Sequence, residues 1–285
     1  MIADARPDAE AEPEVVPHGL RRWGGYIALV LVFATACGFL SWWQWSRNAE
    51  TVAETRLVDR NWTQPPAPLD ELVPSLDGWR HDLEWREVAL HGRYLTDEQL
   101  LVRNRVRNAN PGFEVLVPLR LDDGRVFVVD RGWLPIPQDA QTPQVPAPPS
   151  GEVSVVARLQ QSEADLPGRT SPHGQIASID LPAIARLVGE RSYTGAYGTM
   201  TRESPAPTTR PAAAPKPVID PGPFLSYAIQ WIIFGVLAFV GLFWAYRREK
   251  RLHGLTVEQR AVLDRAGRRS RDSDYEDAVL DRTAD

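Results

Sequence analysis

Two apolar stretches decide the fold of this chain: WGGYIALVLVFATACGFLSWWQWS at 23–46 and PGPFLSYAIQWIIFGVLAFVGLFWAY at 221–246. Neither stretch contains Asp, Glu, Lys, Arg or His. At a rise of about 1.5 Å per residue, a helix of either length exceeds the roughly 30 Å hydrocarbon thickness of a bilayer. A soluble helix of that length would need a polar face. The sequence therefore predicts a membrane protein in which two transmembrane α-helices flank one extracytoplasmic, mainly antiparallel β domain of the α+β class.

Basic residues lie beside the ends of the two stretches that point toward the chain termini. Arg21 and Arg22 precede the first, and a basic cluster at 247–251 follows the second. The positive-inside rule then predicts a multi-pass protein of the cell membrane with both termini in the cytoplasm. The expected parts are a disordered cytoplasmic tail at 1–22, transmembrane helices at 23–46 and 221–246, an extracytoplasmic domain at 47–220 with a proline-rich tether at 204–218, and a charged cytoplasmic tail at 247–285.

The first stretch could also be read as a signal peptide, because Ala34-Thr35-Ala36-Cys37 is weakly similar to a lipoprotein cleavage site. The apolar run continues past that point to Trp45, which is longer than a signal-peptide core. The transmembrane interpretation is therefore preferred. Since Cys37 is the only cysteine, no intrachain disulfide can form.

Composition and motifs exclude several classes of function. A net charge of −5 gives no support for nucleic-acid binding. The chain has no Walker loop, no Gly-x-Ser-x-Gly, no His-Glu-x-x-His and no Cys-x-x-Cys. None of the five histidines stands at metal-ligand spacing from another. We therefore assign no catalytic or metal-binding residue and expect a protein that is not an enzyme.

The middle of the chain carries the patterns of β-strands. Strands are predicted at 85–95, 99–106, 113–121, 126–130, 151–160 and 191–200, and a short helix at 181–188. Turns are expected at Pro111-Gly112 and at 122–124. The strand at 126–130 is apolar on both faces, which predicts a central position in the sheet.

Two groups of residues in the domain are candidates for contacts. Arg103, Arg105 and Arg107 recur with period two, so an unbroken strand would direct all three to one face. They would form either an anion site or a solvated face of the sheet. The segment 130–133 is expected to end a buried strand, where Gly132 would permit an unusual backbone conformation and Trp133 would pack over the strand end or contact a ligand.

Two glutamines lie near the outer ends of the apolar stretches. Gln44 and Gln230 would stand at similar depth in the membrane if the two helices pair. Their amides would then either bond to another helix or be solvated at the interface.

Taken in order, four groups of residues resemble a known family. They are Trp43-Gln44-x-x-Arg47; Gly92-x-Tyr94 with 101–105; Pro111-Gly112-Phe113-x-Val115-x-x-Pro118-Leu119 with Gly124 and 129–135; and 226–231. Their order and spacing between two apolar stretches resemble the Surfeit locus protein 1 family of cytochrome oxidase assembly factors, in its bacterial, actinobacterial form. The resemblance covers about residues 24–250.

This resemblance implies an assembly factor for an aa3-type haem–copper cytochrome c oxidase that assists haem a insertion into oxidase subunit I or stabilises that subunit. The implied partners are subunit I, haem a synthase and membrane lipid, with no nucleic acid. The contact candidates are Trp43, Gln44, Arg47, Arg103, Arg105, Asp130, Arg131, Gly132, Trp133, Tyr227, Gln230 and Trp231, of which Arg103, Arg105 and Arg131 would meet the nascent oxidase or the haem propionates.

The sequence gives no iron ligand at the position where relatives carry one. Some bacterial members of the family bind haem, with a histidine at the start of the second span as the candidate iron ligand, and that position here carries Phe224. We therefore expect no stably bound cofactor, with haem a handled only transiently. Two other classes of function stay open at this stage: a doubly anchored extracytoplasmic binding or sensor domain unrelated to respiration, and a membrane hydrolase, for which no nucleophile–base signature is present.

Overall fold

The computed structural model describes residues 18–137, 143–169, 172–189 and 191–253. The predicted terminal tails fall largely outside these residues. The chain divides into two compact units, one formed by the segments up to Ala49 and from Pro221, the other by Glu50–Asp220. The four α-helices in the described residues are α1 (His18–Thr63), α2 (Leu69–Leu72), α3 (Leu181–Val188) and α4 (Phe224–His253).

The first unit consists of helical segments that are long and apolar enough to cross a membrane, as the two apolar stretches predict. In their most apolar windows only 11% and 6% of the residues are buried, unlike the core helix of a soluble protein. Helix α1 continues beyond its apolar stretch and ends at Thr63, shortly before Pro65 and Pro66, because proline lacks the N–H that a helix interior requires.

Small residues form the contact between α1 and α4. Cys37, Ser41 and Ala228 are buried there, and the Ser41 hydroxyl donates a hydrogen bond to the Ala228 carbonyl at 3.0 Å. A Cβ placed on Gly235 would lie 3.6 Å from the Cβ of Cys37. Small side chains at such positions allow two helix backbones to approach closely.

The second unit is built on a mixed eight-stranded sheet. Its strands are β1 (Ala67–Pro68), β2 (Glu87–Tyr94), β3 (Leu100–Arg107), β4 (Asn110–Leu121), β5 (Val126–Pro135), β6 (Val153–Gln161), β7 (Gln175–Ile176) and β8 (Ala196–Ser204). The strand order is β1-β2-β6-β8-β5-β4-β3-β7. Pairs β1–β2, β3–β7 and β5–β8 are parallel, and the other described pairs are antiparallel.

An additional pairing closes part of this sheet upon itself. Strand β2 pairs with both β6 and β4, so β2, β6, β8, β5 and β4 form a closed ring from which β3 and β7 extend. Inside the ring lies a core that includes Val117, Phe127 and Leu159. A smaller core that includes Leu116, Val128 and Ile184 lies on the outer face under α3. Strand β5 lies between β4 and β8, which confirms its predicted central position.

The two predicted turns have different outcomes. The turn at 122–124 is confirmed, with Gly124 at φ +81° donating its N–H to the Leu121 carbonyl. The turn expected at Pro111-Gly112 is wrong, because both residues lie within β4. The chain reverses instead at Asn108 and Ala109, whose φ values are +50° and +61°. Positive φ at both central residues matches the twist of the flanking strands, and an alanine gives no sequence signal for it.

Candidate functional site

Two β-bulges shape one region of the domain. In β3 an extra residue lies between Val102 and Arg105, where Asn104 has φ +59°. In β5 the extra residue lies between Asp130 and Trp133, where Gly132 has φ +129°. A bulge changes the direction in which side chains point, and these two bulges lie in the strands on either side of β4.

The bulge in β3 breaks the predicted arginine stripe. By register, Arg105 occupies the face of Val102, and the Arg105 guanidinium lies against Glu114, which pairs with Val102. Arg103, which precedes the extra residue, does not share this face with Arg105. The expectation of three arginines on one face is therefore wrong, because the strand does not keep its period of two.

A network of charged side chains surrounds Arg105. Its Nε lies 2.9 Å from Glu114 Oε2, and its Nη2 donates to both carboxylate oxygens of Glu163 at 2.6 and 2.7 Å. Glu163 also accepts the Ile179 N–H at 2.9 Å, which fixes this carboxylate beside α3. Because two carboxylates already hold its charge, Arg105 does not fit the predicted anion site.

Asp130 is the most deeply buried acid of this network. Burial and the charge of Glu114 raise the pKa of Asp130 to about 8, although its Oδ1 accepts the Gly132 N–H at 2.9 Å. Burial likewise raises the pKa of Glu114, and burial with the charge of Asp130 raises the pKa of Tyr197. These shifts favour the protonated form of Asp130 at neutral pH, and a protonated carboxyl donates as well as accepts a hydrogen bond.

A cavity of about 390 Å³ opens beside this network. Its lining combines charged groups, an indole ring and a segment of the predicted tether: Asn104, Arg105, Val106, Arg107, Glu114, Asp130, Gly132, Trp133, Ala212, Ala214 and Pro215. Val106 is 69% exposed at this site, although it is apolar. The cavity thus offers an apolar contact beside ionic groups.

Trp133 joins three walls of the cavity. Its indole N–H donates to the Arg105 carbonyl at 2.8 Å, and its backbone exchanges two 2.9 Å hydrogen bonds with Ala212 in the tether. A Cβ on Gly112 would lie 2.3 Å from the indole ring, so only glycine permits this close packing. A Cβ on Gly132 would lie 2.6 Å from the Ala212 carbonyl oxygen.

The tether is fixed to the domain by cationic side chains as well. Arg107 donates to the carbonyls of Ala212 and Ala213 at 3.1 and 2.5 Å, and Lys216 pairs with Asp59 of α1 at 2.6 Å. The segment predicted as an extended tether therefore contributes one wall of the cavity.

Arg131 lies inside the domain, and its side chain is fully buried. Its guanidinium donates to Glu203 at 2.7 Å and to the Pro146 carbonyl at 2.9 Å. Tyr94 donates to the other oxygen of Glu203 at 3.0 Å. A side chain in this position cannot meet a partner at the surface, so the predicted contact of Arg131 with an oxidase or a propionate is replaced by a structural role. The expectation that 130–133 ends its strand is also wrong, because β5 runs to Pro135.

The predicted residues of the apolar helices lie mostly on exposed surface. Trp43, Tyr227 and Gln230 are exposed, and Trp231 packs edge-on against Phe234. Gln44 is half-buried, and its Oε1 has no hydrogen-bond partner in the described residues. The hydrogen bonds described between α1 and α4 come from Ser41 and from Arg22, which donates to Glu249, and not from Gln44 or Gln230. Arg47 is exposed in the first unit.

Sequence reasoning missed the acids that complete the network. Glu163 and Glu203 lie 58 and 72 residues along the chain from Arg105 and Arg131, whereas Glu114 lies on the strand that follows Arg105. A signal existed for Glu114, because it lies in β4 between the buried apolar residues Phe113 and Val115. A charge at such a position calls for an opposite charge nearby.

These features define a class of protein: a β domain with a closed ring of strands and an ionic cavity, framed in sequence by two helices able to cross a membrane. The SURF1 family model matches residues 31–236. SURF1-like proteins of Mycobacterium bovis and Mycobacterium tuberculosis, both described as uncharacterized, are each 37% identical over 265 residues, which cover 86% of this chain and 96% of theirs. The cytochrome oxidase assembly protein SHY1 of Saccharomyces cerevisiae is 31% identical over 123 residues, 40% of this chain and 30% of the yeast protein. The chain belongs to the SURF1 family, as its motifs indicate.

Proposed function

We propose that this protein assists the assembly of a haem–copper cytochrome c oxidase of the aa3 type, by stabilising oxidase subunit I while haem a enters it. The observation that carries the proposal is the family match over residues 31–236, which reaches from one apolar stretch to the other. The name of the yeast relative supports the same role. This is a role in docking and stabilisation rather than in catalysis.

The cavity beside Trp133 is the proposed contact site. The motifs at 101–105, 111–115 and 129–135 are separate in sequence but lie on the adjacent strands β3, β4 and β5. Asn104, Asp130 and Trp133 from two of these motifs line the cavity, and the packing of the Trp133 ring depends on Gly112 of the third. An exposed apolar residue beside polar groups, as at Val106, is a common feature of protein interfaces.

In this role haem a is destined for the oxidase and is not a group that stays bound to this protein. Phe224, at the start of α4, has no donor atom for iron, and neither apolar stretch contains a histidine. The thiol of Cys37 is buried in the contact with α4. The residues of the two stretches therefore do not fit a histidine-ligated haem, and we derive no step through such a group.

The proposed setting is the cell membrane, with both termini in the cytoplasm and residues 47–220 outside it. The basic flanks at 21–22 and 247–251 support this orientation. Haem a synthase is a further proposed partner, since it supplies the group that subunit I receives.

The test uses a strain deleted for this gene, with assembled haem a measured by absorbance in isolated membranes. We expect the deletion to lower haem a absorbance and the wild-type gene to restore it. Val106→Asp should fail to restore it, because the substitution places a charge on the proposed contact. Val218→Asp is the matched control, since Val218 is 94% exposed and lies outside the cavity lining.

The outcomes separate the two parts of the proposal. Normal haem a absorbance in the deletion strain would overturn the assembly role. Full activity of Val106→Asp, with both variants at wild-type levels in the membrane, would remove the cavity as the contact site.

A further inference from the structure

Three side chains of types that can bind a metal ion meet where α1 packs against the 3₁₀ turn His81–Leu83: Glu54 from α1, and His81 and Glu84, which are three residues apart. The imidazole Nε2 of His81 lies 3.1 Å from Glu54 Oε2, and its Nδ1 lies 3.1 Å from Glu84 Oε2. One ligand atom from each of the three residues lies within 4.8 Å of the other two. The sequence shows no metal-ligand spacing around His81, but folding places two carboxylates beside its imidazole.

The backbone around this cluster is held in place by one buried side chain. Asn61 is 2% exposed, and its amide donates to the carbonyls of Asp82 and Glu84, both at 2.8 Å. Asn61 follows Glu54 by seven residues, or about two helical turns, so both side chains share one face of α1. The hydrogen bonds of Asn61 therefore fix the turn that carries His81 opposite the turn of α1 that carries Glu54.

The donor set determines which ion the cluster would take. Nitrogen and carboxylate ligands bound to one zinc ion at about 2.0–2.2 Å lie about 3–3.5 Å from one another, which is the spacing found between His81 and Glu54. A metal-bound imidazole usually gives its second N–H to a carboxylate, and Glu84 is placed to accept it. An imidazole with two carboxylates suits Zn²⁺ or Cu²⁺ better than Mg²⁺ or Ca²⁺, which prefer oxygen ligands alone.

The surroundings favour access by an ion from solution. The side chains of His81, Glu54 and Glu84 are 65%, 34% and 23% exposed, so coordination positions are open to water. The neighbouring Arg80 pairs with Asp82 at 3.2 Å. The cluster therefore combines two carboxylates and an imidazole, which are ligand types that bind a divalent transition-metal ion.

We propose that Glu54, His81 and Glu84 form a binding site for a divalent transition-metal ion of the Zn²⁺ or Cu²⁺ type. In this site Glu54 and the Nε2 of His81 are ligands, and Glu84 orients the imidazole or completes the coordination. The bound ion would link α1 to the start of the β domain. This inference is independent of the oxidase assembly role, since its test requires only the purified protein.

The experiment is a titration of the full-length protein with ZnCl₂ by calorimetry. The protein is purified in detergent with a tag that lacks histidine, stripped with EDTA and transferred to chelator-free buffer. We expect one Zn²⁺ per chain, and an affinity that falls at least tenfold in His81→Ala, Glu54→Gln and Glu84→Gln. His91→Ala is the matched control, because His91 is also exposed but lies beside Ser154 rather than a carboxylate.

A spectroscopic measurement identifies the ligand directly. With one equivalent of Cu²⁺, the electron paramagnetic resonance spectrum should show coupling to a single imidazole, which disappears in His81→Ala and persists in His91→Ala. If His81→Ala does not fold, Glu54→Gln carries the test, because it changes charge without changing shape.

Three results would overturn the proposal. They are absence of stoichiometric Zn²⁺ binding, an affinity unchanged by His81→Ala or by Glu54→Gln, and an equal loss in His91→Ala. An affinity unchanged by Glu84→Gln would reject the assignment of Glu84.

Discussion

The buried ion pair between Arg131 and Glu203 gives a prediction whose size follows from the structure. Both side chains are at most 1% exposed, and their closest nitrogen–oxygen distance is 2.7 Å. The substitution Glu203→Gln keeps the shape of the side chain and removes its charge. The Arg131 guanidinium then stays buried without a carboxylate, beside neutral acceptors such as the Pro146 carbonyl.

Removing one partner of a buried pair costs about 3–5 kcal/mol. For a domain of this size each kcal/mol lowers the melting temperature by roughly 2–4 °C, so Glu203→Gln should lower it by roughly 6–20 °C. The assay is thermal unfolding of the full-length protein in detergent, followed by near-ultraviolet circular dichroism, which reports the packing of the aromatic side chains.

An exposed pair provides the control for this measurement. Glu152 pairs with Arg93 at 2.8 Å, almost the same distance, but these side chains are 67% and 64% exposed. Glu152→Gln should therefore cost only about 0–1 kcal/mol. The double substitution Arg131→Met with Glu203→Leu should regain much of the loss, since apolar residues of similar volume can replace a buried pair. Equal melting temperatures for Glu203→Gln and Glu152→Gln would refute the reasoning.

The remaining predictions concern Asp130, Gly132 and topology. Folding raises the pKa of Asp130 to about 8, so the folded protein keeps a proton that the unfolded chain releases near pH ~4. The free energy of unfolding should therefore fall as the pH rises from ~4 to about 8, by up to ~1.4 kcal/mol per pH unit, and level off at higher pH. Asp130→Asn should reduce this slope in unfolding measured from pH 5 to 8, and parallel profiles would contradict the assignment. Gly132→Val should lower the amount of folded protein in membranes, because φ is +129° and the new Cβ would meet the Ala212 carbonyl, with backbone strain of ~1–3 kcal/mol; a normal protein level with lost activity would point to a contact role instead. A phosphatase fused after Gly151 should be active and one fused after Arg251 inactive, and the reverse pattern would reject the orientation.

The sequence was most informative where local patterns determine structure. The two apolar stretches predict helices able to cross a membrane, because length and absence of charge suffice for that inference. The helix α3 was located at its observed bounds, and β5 was recognised as central from its continuous apolar run. Helix and strand periodicity are properties of neighbouring residues, so a single sequence contains them.

Features that depend on distant residues were decided by the tertiary structure alone. Asn104 and Gly132 carry bulges that redirect side chains, and no local pattern shows where an extra residue enters a pair of strands. The prediction that Arg103, Arg105 and Arg107 share one face of the strand was wrong for this reason. The cavity likewise forms only where β3, β4, β5 and the tether come together in space.

The ion pairs show most clearly what the sequence leaves open and the tertiary structure decides. The sequence singles out Arg131 as a contact candidate and assigns no role to His81, and the carboxylates of Glu203 and Glu54 that pair with them stand 72 and 27 residues away. An ionic contact depends on distance in space, and folding brings these groups within 3.1 Å or less. The sequence by itself therefore determined the frame of the molecule and its family resemblance. Only the tertiary structure decided which charges are paired, buried or gathered around a cavity, because burial sets the energetic cost of a charge and the fold sets the burial.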